Sequence, residues 1–176
     1  VALAHIPADS DVRIADLGTG SGAIALALAR ERPRASVLAT DASKAALDVA
    51  RNNARRLDVH NLTFAQGDWC DALGRERFDL IVSNPPYIAA RDAHLHSGDL
   101  RYEPKSALIS GADGLDAIRR IVADAHAHLH PGARLLIEHG WDQGERVRTL
   151  FAAAGYADVG SARDAGGHER VTFGAK

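Results

Sequence analysis

The stretch Asp16-Leu17-Gly18-Thr19-Gly20-Ser21-Gly22 decides the fold of this chain. It follows a short apolar run at 13–17 and precedes a helical pattern at 23–31, which ends before Pro33. Alternating glycines allow a tight turn and let a ligand approach the backbone closely. A glycine-rich turn alone is weak evidence, but its position between a strand and a helix gives it much more weight.

Short apolar runs and helical patterns alternate along the rest of the chain, which predicts βαβ units and a mostly parallel sheet. A helix is predicted to begin at a Ser43 cap, with Leu47, Ala50, Ala54 and Leu57 on its buried face. Two further helices are predicted at 115–129, which Pro131-Gly132 terminates, and at 145–154. Strands are predicted at 13–17, 36–40, 62–66, 78–83, 134–138, 157–162 and 170–173, and the last two of them form a closing hairpin.

Composition points to one soluble α/β domain over residues 1–176. The single cysteine, Cys70, cannot form an internal disulfide, which suits the cytoplasm. No apolar run is long enough to span a bilayer, and the net charge of -2 argues against a nucleic-acid surface. His94 and His96 lack a matching ligand cluster, so no metal is expected. The chain starts at Val1 and contains no methionine, so we expect a piece of a longer protein.

The spacing of the glycine loop bears on the ligand. It reads G-x-G-x-G and lacks the G-x-x-G ending of loops that hold a pyrophosphate at a helix N-terminus. S-adenosylmethionine has no phosphate and carries a positive sulfonium, so its site needs acidic groups and backbone contacts. We expect Asp16 to meet the ligand's ammonium group, directly or through water, and Asp41 to accept from both ribose hydroxyls.

A second acidic segment, Gly67-Asp68-Trp69, follows the third predicted strand. Asp68 is expected to accept from the adenine amine and Trp69 to cover the adenine face. Taken alone, each of these residues is as readily a loop cap or a core side chain. Their joint position at the carboxyl ends of strands, where open α/β sheets bind ligands, favours a cofactor site.

The tetrad Asn84-Pro85-Pro86-Tyr87 follows the fourth predicted strand directly. Adjacent prolines remove two amide donors, so the sheet cannot continue there and carbonyl groups are left free to face a ligand. The Asn84 side-chain carbonyl and the Pro85 backbone carbonyl can hold the two N–H bonds of a planar amide or amine, and Tyr87 offers a face for stacking. Catalysis would then rest on alignment and electrostatic preorganisation.

In these motifs the sequence resembles the bacterial peptide chain release factor glutamine methyltransferases, which methylate the glutamine of a Gly-Gly-Gln motif. The resemblance covers nearly the whole chain. It includes the glycine loop, the tetrad and three further stretches: Arg101-Tyr102-Glu103-Pro104, Glu138-His139-Gly140-Trp141 and 164–174. It implies the Rossmann-like class I methyltransferase fold, a seven-stranded, mostly parallel sheet with one antiparallel strand near the edge and helices on both faces.

The resemblance also implies a set of roles. Asn84, Pro85, Pro86 and Tyr87 would hold the glutamine, with Asn84, Pro85 and Tyr87 acting in catalysis. The resemblance assigns cofactor contacts to most of the positions discussed, and the adenine contact expected for Asp68 adds one more. The full set is Gly18, Thr19, Gly20, Ser21, Gly22, Asp41, Asp68, Trp69 and Asn84. The partner would be a release factor, bound by a monomer. The family's N-terminal helical docking domain has no counterpart in these residues.

Three alternatives stay open at this point. Methylation of a ribosomal-protein glutamine would use the same motifs. A DNA adenine methyltransferase shares the tetrad, but it needs a basic groove and usually a separate base-reading region. A scaffold that binds the cofactor without catalysis would tolerate loss of Asn84 or the prolines, and this chain keeps both.

Overall fold

The computed structural model describes residues 1–90 and 108–176, which form a seven-stranded sheet of order β3-β2-β1-β4-β5-β7-β6. Strand β7 runs antiparallel to both of its neighbours, and the other described pairings are parallel. The predicted mixed sheet with one antiparallel strand near its edge is confirmed. The strands are β1 (Arg13–Leu17), β2 (Ser36–Asp41), β3 (Leu62–Gln66), β4 (Phe78–Ser83), β5 (Leu129–Glu138), β6 (Ala157–Arg163) and β7 (Glu169–Ala175).

Helices cover both faces of the sheet, as predicted. Neighbouring residues of a strand point to opposite faces, so Ile14 packs with α1 in one core while Ala15 packs with α3 and α4 in another. The α-helices are α1 (Ala23–Glu31), α2 (Lys44–Arg56), α3 (Asp116–Ala125) and α4 (Gly144–Ala153), with 3-10 turns at Ala2–His5, Trp69–Leu73 and His126–His128.

The helix predicted at 115–129 is wrong at its carboxyl end. Helix α3 stops at Ala125, a 3-10 turn follows, and β5 already begins at Leu129. Strand β5 therefore contains Pro131-Gly132, where the pairing with β4 shifts register between Phe78 and Leu80. A proline is tolerated there because an irregularity removes the need for its amide.

The Ser43 cap is confirmed, since its hydroxyl accepts from the Ala46 amide at 3.2 Å. Leu47, Ala50 and Ala54 are buried as expected, but Leu57 is 46% exposed. The prediction for Leu57 is wrong because α2 ends one residue earlier, so this side chain leaves the helical face.

The strand order creates a crevice at the carboxyl ends of the central strands β1 and β4. The chain runs outward from β1 through β2 to β3, and then returns to place β4 on the other side of β1. In such sheets the carboxyl ends of the two strands at the reversal border an open cleft. The glycine loop follows β1 and the tetrad follows β4, so the fold brings both to this cleft.

Candidate active site

The glycine loop wraps closely around a tryptophan. Gly18 has a φ of +69°, and a Cβ placed on it would lie 2.9 Å from Cζ3 of Trp69. Gly20, with a φ of +58°, has nothing within 4 Å of the corresponding position. The first glycine is thus required by both backbone and packing, while the second leaves open space for a ligand.

The buried Asp16 carboxyl holds the glycine loop to the start of α1 by hydrogen bonds. It is 1% exposed, and its Oδ2 accepts from the Thr19 hydroxyl at 2.6 Å and from the Ala25 amide at 3.1 Å. Its Oδ1 has no partner among the residues that the structure describes. Burial raises the pKa of Asp16 to about 6, against the effect of these two hydrogen bonds. A carboxyl thus already occupies the first turn of α1, where a phosphate-binding fold would hold phosphate.

Asp41 ties the loop to the end of β2. The Gly20 amide donates to its Oδ2 at 2.9 Å, and the Ser43 amide donates to its Oδ1 at 2.8 Å. Each carboxylate oxygen can accept more than one hydrogen bond, so acceptor capacity is left for a ligand. The carboxylate is therefore held in one orientation before any ligand arrives.

Trp69 and Asp68 follow β3 and line the same cavity as Gly20 and Asp41. Trp69 adopts a φ of +48°, which is unusual for a bulky residue and turns its ring toward Gly18. Asp68 forms an ion pair with Arg120, and the same guanidinium holds Asp71 at 2.8 Å. Sequence reasoning missed Arg120, since it lies 52 positions from Asp68. The expected contact of Asp68 with an adenine amine stays a prediction.

These walls enclose a cavity of about 600 Å³. Helix α2 adds the apolar side chains Ala46 and Val49. Among the residues predicted from sequence, the cavity is lined by Gly18, Gly20, Ser21, Asp41, Asp68, Trp69, Asn84 and Pro86. Thr19, Gly22, Pro85 and Tyr87 lie outside this lining: Thr19 bonds Asp16, and Gly22 caps α1.

The tetrad begins where β4 leaves the sheet. The Ser83 hydroxyl donates to the Leu17 carbonyl at 2.8 Å, which fixes the end of β4 to the end of β1. Asn84 is exposed at the mouth of the cavity, whereas Pro85 is buried. The tetrad therefore presents the exposed side-chain amide of Asn84 from a backbone that the buried Pro85 restrains.

Tyr87 is half-buried beside a second group of side chains that the sequence did not reveal. Gln143 donates to the Tyr87 carbonyl at 3.0 Å, and Arg170 donates to the Tyr87 hydroxyl at 3.3 Å. Glu138 raises the pKa of this hydroxyl further, beyond the effect of burial. The tetrad therefore borders the cavity through Asn84 and Pro86, and a polar cluster through Tyr87.

Arg101-Tyr102-Glu103-Pro104, His94 and His96 lie outside the described residues. Within 1–90 and 108–176, no group of three or more His, Cys, Asp or Glu side chains could hold a metal ion. None of the helices in those ranges is both long and apolar enough to cross a membrane. Cys70 is buried, and burial raises the pKa of its thiol to about 12, which makes it a poor nucleophile.

The sheet order, the glycine loop at the cleft and the helices on both faces define a Rossmann-like methyltransferase fold. Among solved structures, a methyltransferase from Pyrococcus furiosus aligns with a TM-score of 0.72 at 19% identity, over 97% of this chain and 77% of that one. A 16S rRNA N2 G1207 methyltransferase from Thermus thermophilus, in complex with AdoMet and guanosine, aligns with a TM-score of 0.70 at 22% identity, over 96% and 38%.

The chain belongs to the family described as the methyltransferase small domain, which matches residues 1–99. It is 59% identical over 173 residues to a protein of Xylella fastidiosa (strain Temecula1) named release factor glutamine methyltransferase, covering 98% of this chain and 63% of the relative. A protein of the same name from Escherichia coli (strain K12) is 49% identical over 173 residues, covering 98% and 62%. The chain thus spans less than two thirds of the length of these relatives.

Proposed function

We propose that this chain transfers a methyl group from S-adenosylmethionine to the side-chain amide nitrogen of the glutamine in the Gly-Gly-Gln motif of peptide chain release factors. The observation that carries the proposal is that Asn84 of the tetrad lines the same cavity as Gly18 of the glycine loop and Asp41 at the end of β2. The choice of substrate is supported by the relatives, which are named release factor glutamine methyltransferase.

The cavity suits a ligand that is cationic and free of phosphate. The carboxyl of Asp16 already accepts from the Ala25 amide in the first turn of α1, which places a negative charge where a phosphate would otherwise bind. Asp41 presents fixed carboxylate oxygens to hydroxyl groups, and Trp69 and Val49 supply apolar walls for a flat base. Gly20 and Ser21 would meet the remainder of the ligand through their backbone.

S-adenosylmethionine supplies a methyl group on a positively charged sulfur. An amide nitrogen is a weak nucleophile, because its lone pair is delocalised into the carbonyl. Asn84 Oδ1 and the Pro85 carbonyl would each accept one N–H of the glutamine amide, and the ring of Tyr87 would stack on its plane. These contacts hold the nitrogen toward the cavity and raise its electron density, which are alignment and electrostatic terms.

One proton must leave the nitrogen during the transfer. Methylation makes the nitrogen strongly acidic, so water can take the proton late in the reaction. This sequence of events needs no dedicated base. The role of the protein is then to align the amide and to exclude other geometries.

The test offers labelled S-adenosylmethionine and a purified release factor to the chain, beside the full product of its gene if that product is longer. A Gly-Gly-Gln→Gly-Gly-Ala release factor is the matched control. We expect label on the first substrate and none on the second. Absence of label from both, with cofactor binding confirmed by calorimetry, would overturn the proposal and direct the search to ribosomal-protein glutamine and DNA adenine.

We further propose that the protein acts as a monomer in the cytoplasm and binds its release factor without direct nucleic-acid contact. The net charge of -2 supports the absence of direct nucleic-acid contact, since phosphate contacts require a concentrated basic surface. Sedimentation of the active protein alone and with release factor checks the oligomeric state.

A further inference from the structure

The last residue of the tetrad, Tyr87, is fixed at its backbone. Its carbonyl accepts from Nε2 of Gln143 at 3.0 Å, and Oε1 of the same Gln143 accepts from the Gly140 amide at 2.8 Å. Gln143 is 6% exposed, so both bonds are shielded from water. A Cβ on Gly114 would lie 2.3 Å from the Tyr87 carbonyl oxygen, so the loop before α3 closes the other side.

The phenol end of Tyr87 is fixed as well. Arg170 donates to the hydroxyl at 3.3 Å, and its Cζ lies 5.7 Å from the centre of the Tyr87 ring. Glu138 faces both groups: burial raises the pKa of Glu138, while the charge of Arg170 and a hydrogen bond with Tyr87 lower it. The hydroxyl therefore accepts from Arg170, and the charge of Glu138 acts on the same hydroxyl and raises its pKa.

Rigid strands carry these two charged residues. Glu138 ends β5, opposite Val171 of β7 in the antiparallel ladder, and the next amide, of His139, donates to the Arg170 carbonyl at 2.9 Å. His139 is fully buried, and its ring bonds the Gly140 carbonyl at 2.8 Å and the Thr172 hydroxyl at 2.9 Å. Because the backbone on both sides is held in the sheet, Glu138 and Arg170 form a fixed mount for the phenol.

We propose that Glu138 and Arg170 are positioning residues for methyl transfer, acting through the Tyr87 hydroxyl to fix the angle of the ring on which the substrate amide stacks. The inference rests on the proposed function. The ring face would meet the substrate, while Arg170 contacts the ring and its hydroxyl and Glu138 acts on the hydroxyl by its charge. Loss of the mount would let the ring rotate and misalign the amide, which lowers the turnover rate more than substrate affinity.

A double-mutant cycle tests this mount. Tyr87→Phe keeps the ring and removes the hydroxyl, and Arg170→Gln removes the charge. We expect each single variant to lower kcat by about tenfold. A misplacement of the reacting groups by 1 Å costs roughly 100-fold, and rotation of the ring should misplace the amide by less than that. KM for release factor and the Kd of S-adenosylmethionine should change by less than about twofold. The double variant should be no slower than the slower single variant, because both changes act through one hydroxyl.

Arg163→Gln is the matched control, since Arg163 lies in the same hairpin and its side chain is 64% exposed. We expect it to leave kcat unchanged. A second cycle pairs Tyr87→Phe with Glu138→Gln and Glu138→Ala, which guards against poor folding of Arg170→Gln. Glu138→Gln keeps an acceptor for the hydroxyl and should retain more activity than Glu138→Ala.

Multiplicative effects in both cycles, or an unchanged kcat in Tyr87→Phe, would overturn the inference. Failure of the unmodified protein to label release factor would instead overturn the proposed function, so the two failures are distinguishable. Melting temperatures of all variants are measured beside the rates. A fall in kcat that follows melting temperature across both cycles would assign Glu138 and Arg170 to stability alone and would also overturn the inference.

Discussion

On the cavity side of the candidate active site, Asp16 and Asp41 are held mostly by residues near them in sequence, although Asp68 pairs with the distant Arg120. On the Tyr87 side, Tyr87 is held by distant residues. Thr19 and Ala25 reach Asp16 across 3 and 9 positions, and Ser43 reaches Asp41 across 2. Gln143 and Arg170 reach Tyr87 across 56 and 83. Contacts within a local motif are therefore visible in a sequence, while contacts made across the fold, such as those of Tyr87 and Asp68, are not.

Asn84 stands where the two sides meet, so changing it should separate them most clearly. Asn84→Ala removes the side-chain acceptor for the substrate amide, and we expect kcat to fall by about 10²–10³-fold, as for loss of one preorganised polar group in other enzymes. The Kd of S-adenosylmethionine should stay within about threefold. Asn52→Ala, the same change at an exposed site on α2, is the control. Transfer at the unmodified rate would contradict the polarising role.

The cavity side carries a buried carboxyl that should make stability depend on pH. The pKa of Asp16 is raised from 3.8 to about 6, so the folded chain binds this proton more tightly than the unfolded chain. Stability is then lost as pH rises from about 4 to about 6, by roughly 3 kcal/mol at 1.36 kcal/mol per pKa unit.

Unfolding by denaturant at pH 4 and pH 7 measures this loss, as the difference between the unmodified chain and Asp16→Asn. Asp11→Asn is the control, because the hydrogen bond from Arg34 lowers the pKa of the exposed Asp11 and its contribution has the opposite sign. Identical pH dependence in the unmodified chain and Asp16→Asn would show that burial does not govern this carboxyl.

Asp41 tests whether the cavity side binds cofactor independently of the Tyr87 side. Asp41→Ala removes a preoriented carboxylate, and we expect the Kd of S-adenosylmethionine to rise about 30-fold, corresponding to about 2 kcal/mol for hydrogen bonds to a charged group. Asp48→Ala is the control, since Asp48 is exposed on α2 and paired with Lys44 and Arg51. Equal affinities for both variants, measured by calorimetry, would remove Asp41 from the cofactor site.

The smallest expected effect compares two glycines of one loop. Gly18→Ala and Gly20→Ala both place a side chain at positive φ, which costs about 1 kcal/mol of stability each. Only Gly18→Ala also pushes against Trp69, so it should unfold more easily by up to about 1 kcal/mol further. Thermal unfolding of the two variants gives the difference. A larger loss in Gly20→Ala would contradict the packing described here.

The same contrast explains what could be predicted. Strand β1, helix α1 and the Ser43 cap depend on local periodicity and capping, and the sequence was enough to locate them. The boundary between α3 and β5 was wrong because the five residues before Pro131, His-Ala-His-Leu-His, are too few and too polar to distinguish a helix end from a strand start. Arg120 and Arg170 were missed because a surface arginine has no local pattern that reveals a distant carboxylate or phenol.

The closeness of Trp69 to Gly18 also supplies a built-in optical reporter. The chain contains two tryptophans: Trp69 lines the cavity, and Trp141 is 66% exposed beyond the carboxyl end of β5. Indole emission responds to solvent and to stacked aromatic groups, so the two rings should respond to different binding events. With Trp141→Phe the remaining emission reports on the cavity, and with Trp69→Phe it reports on the surface beyond the carboxyl end of β5.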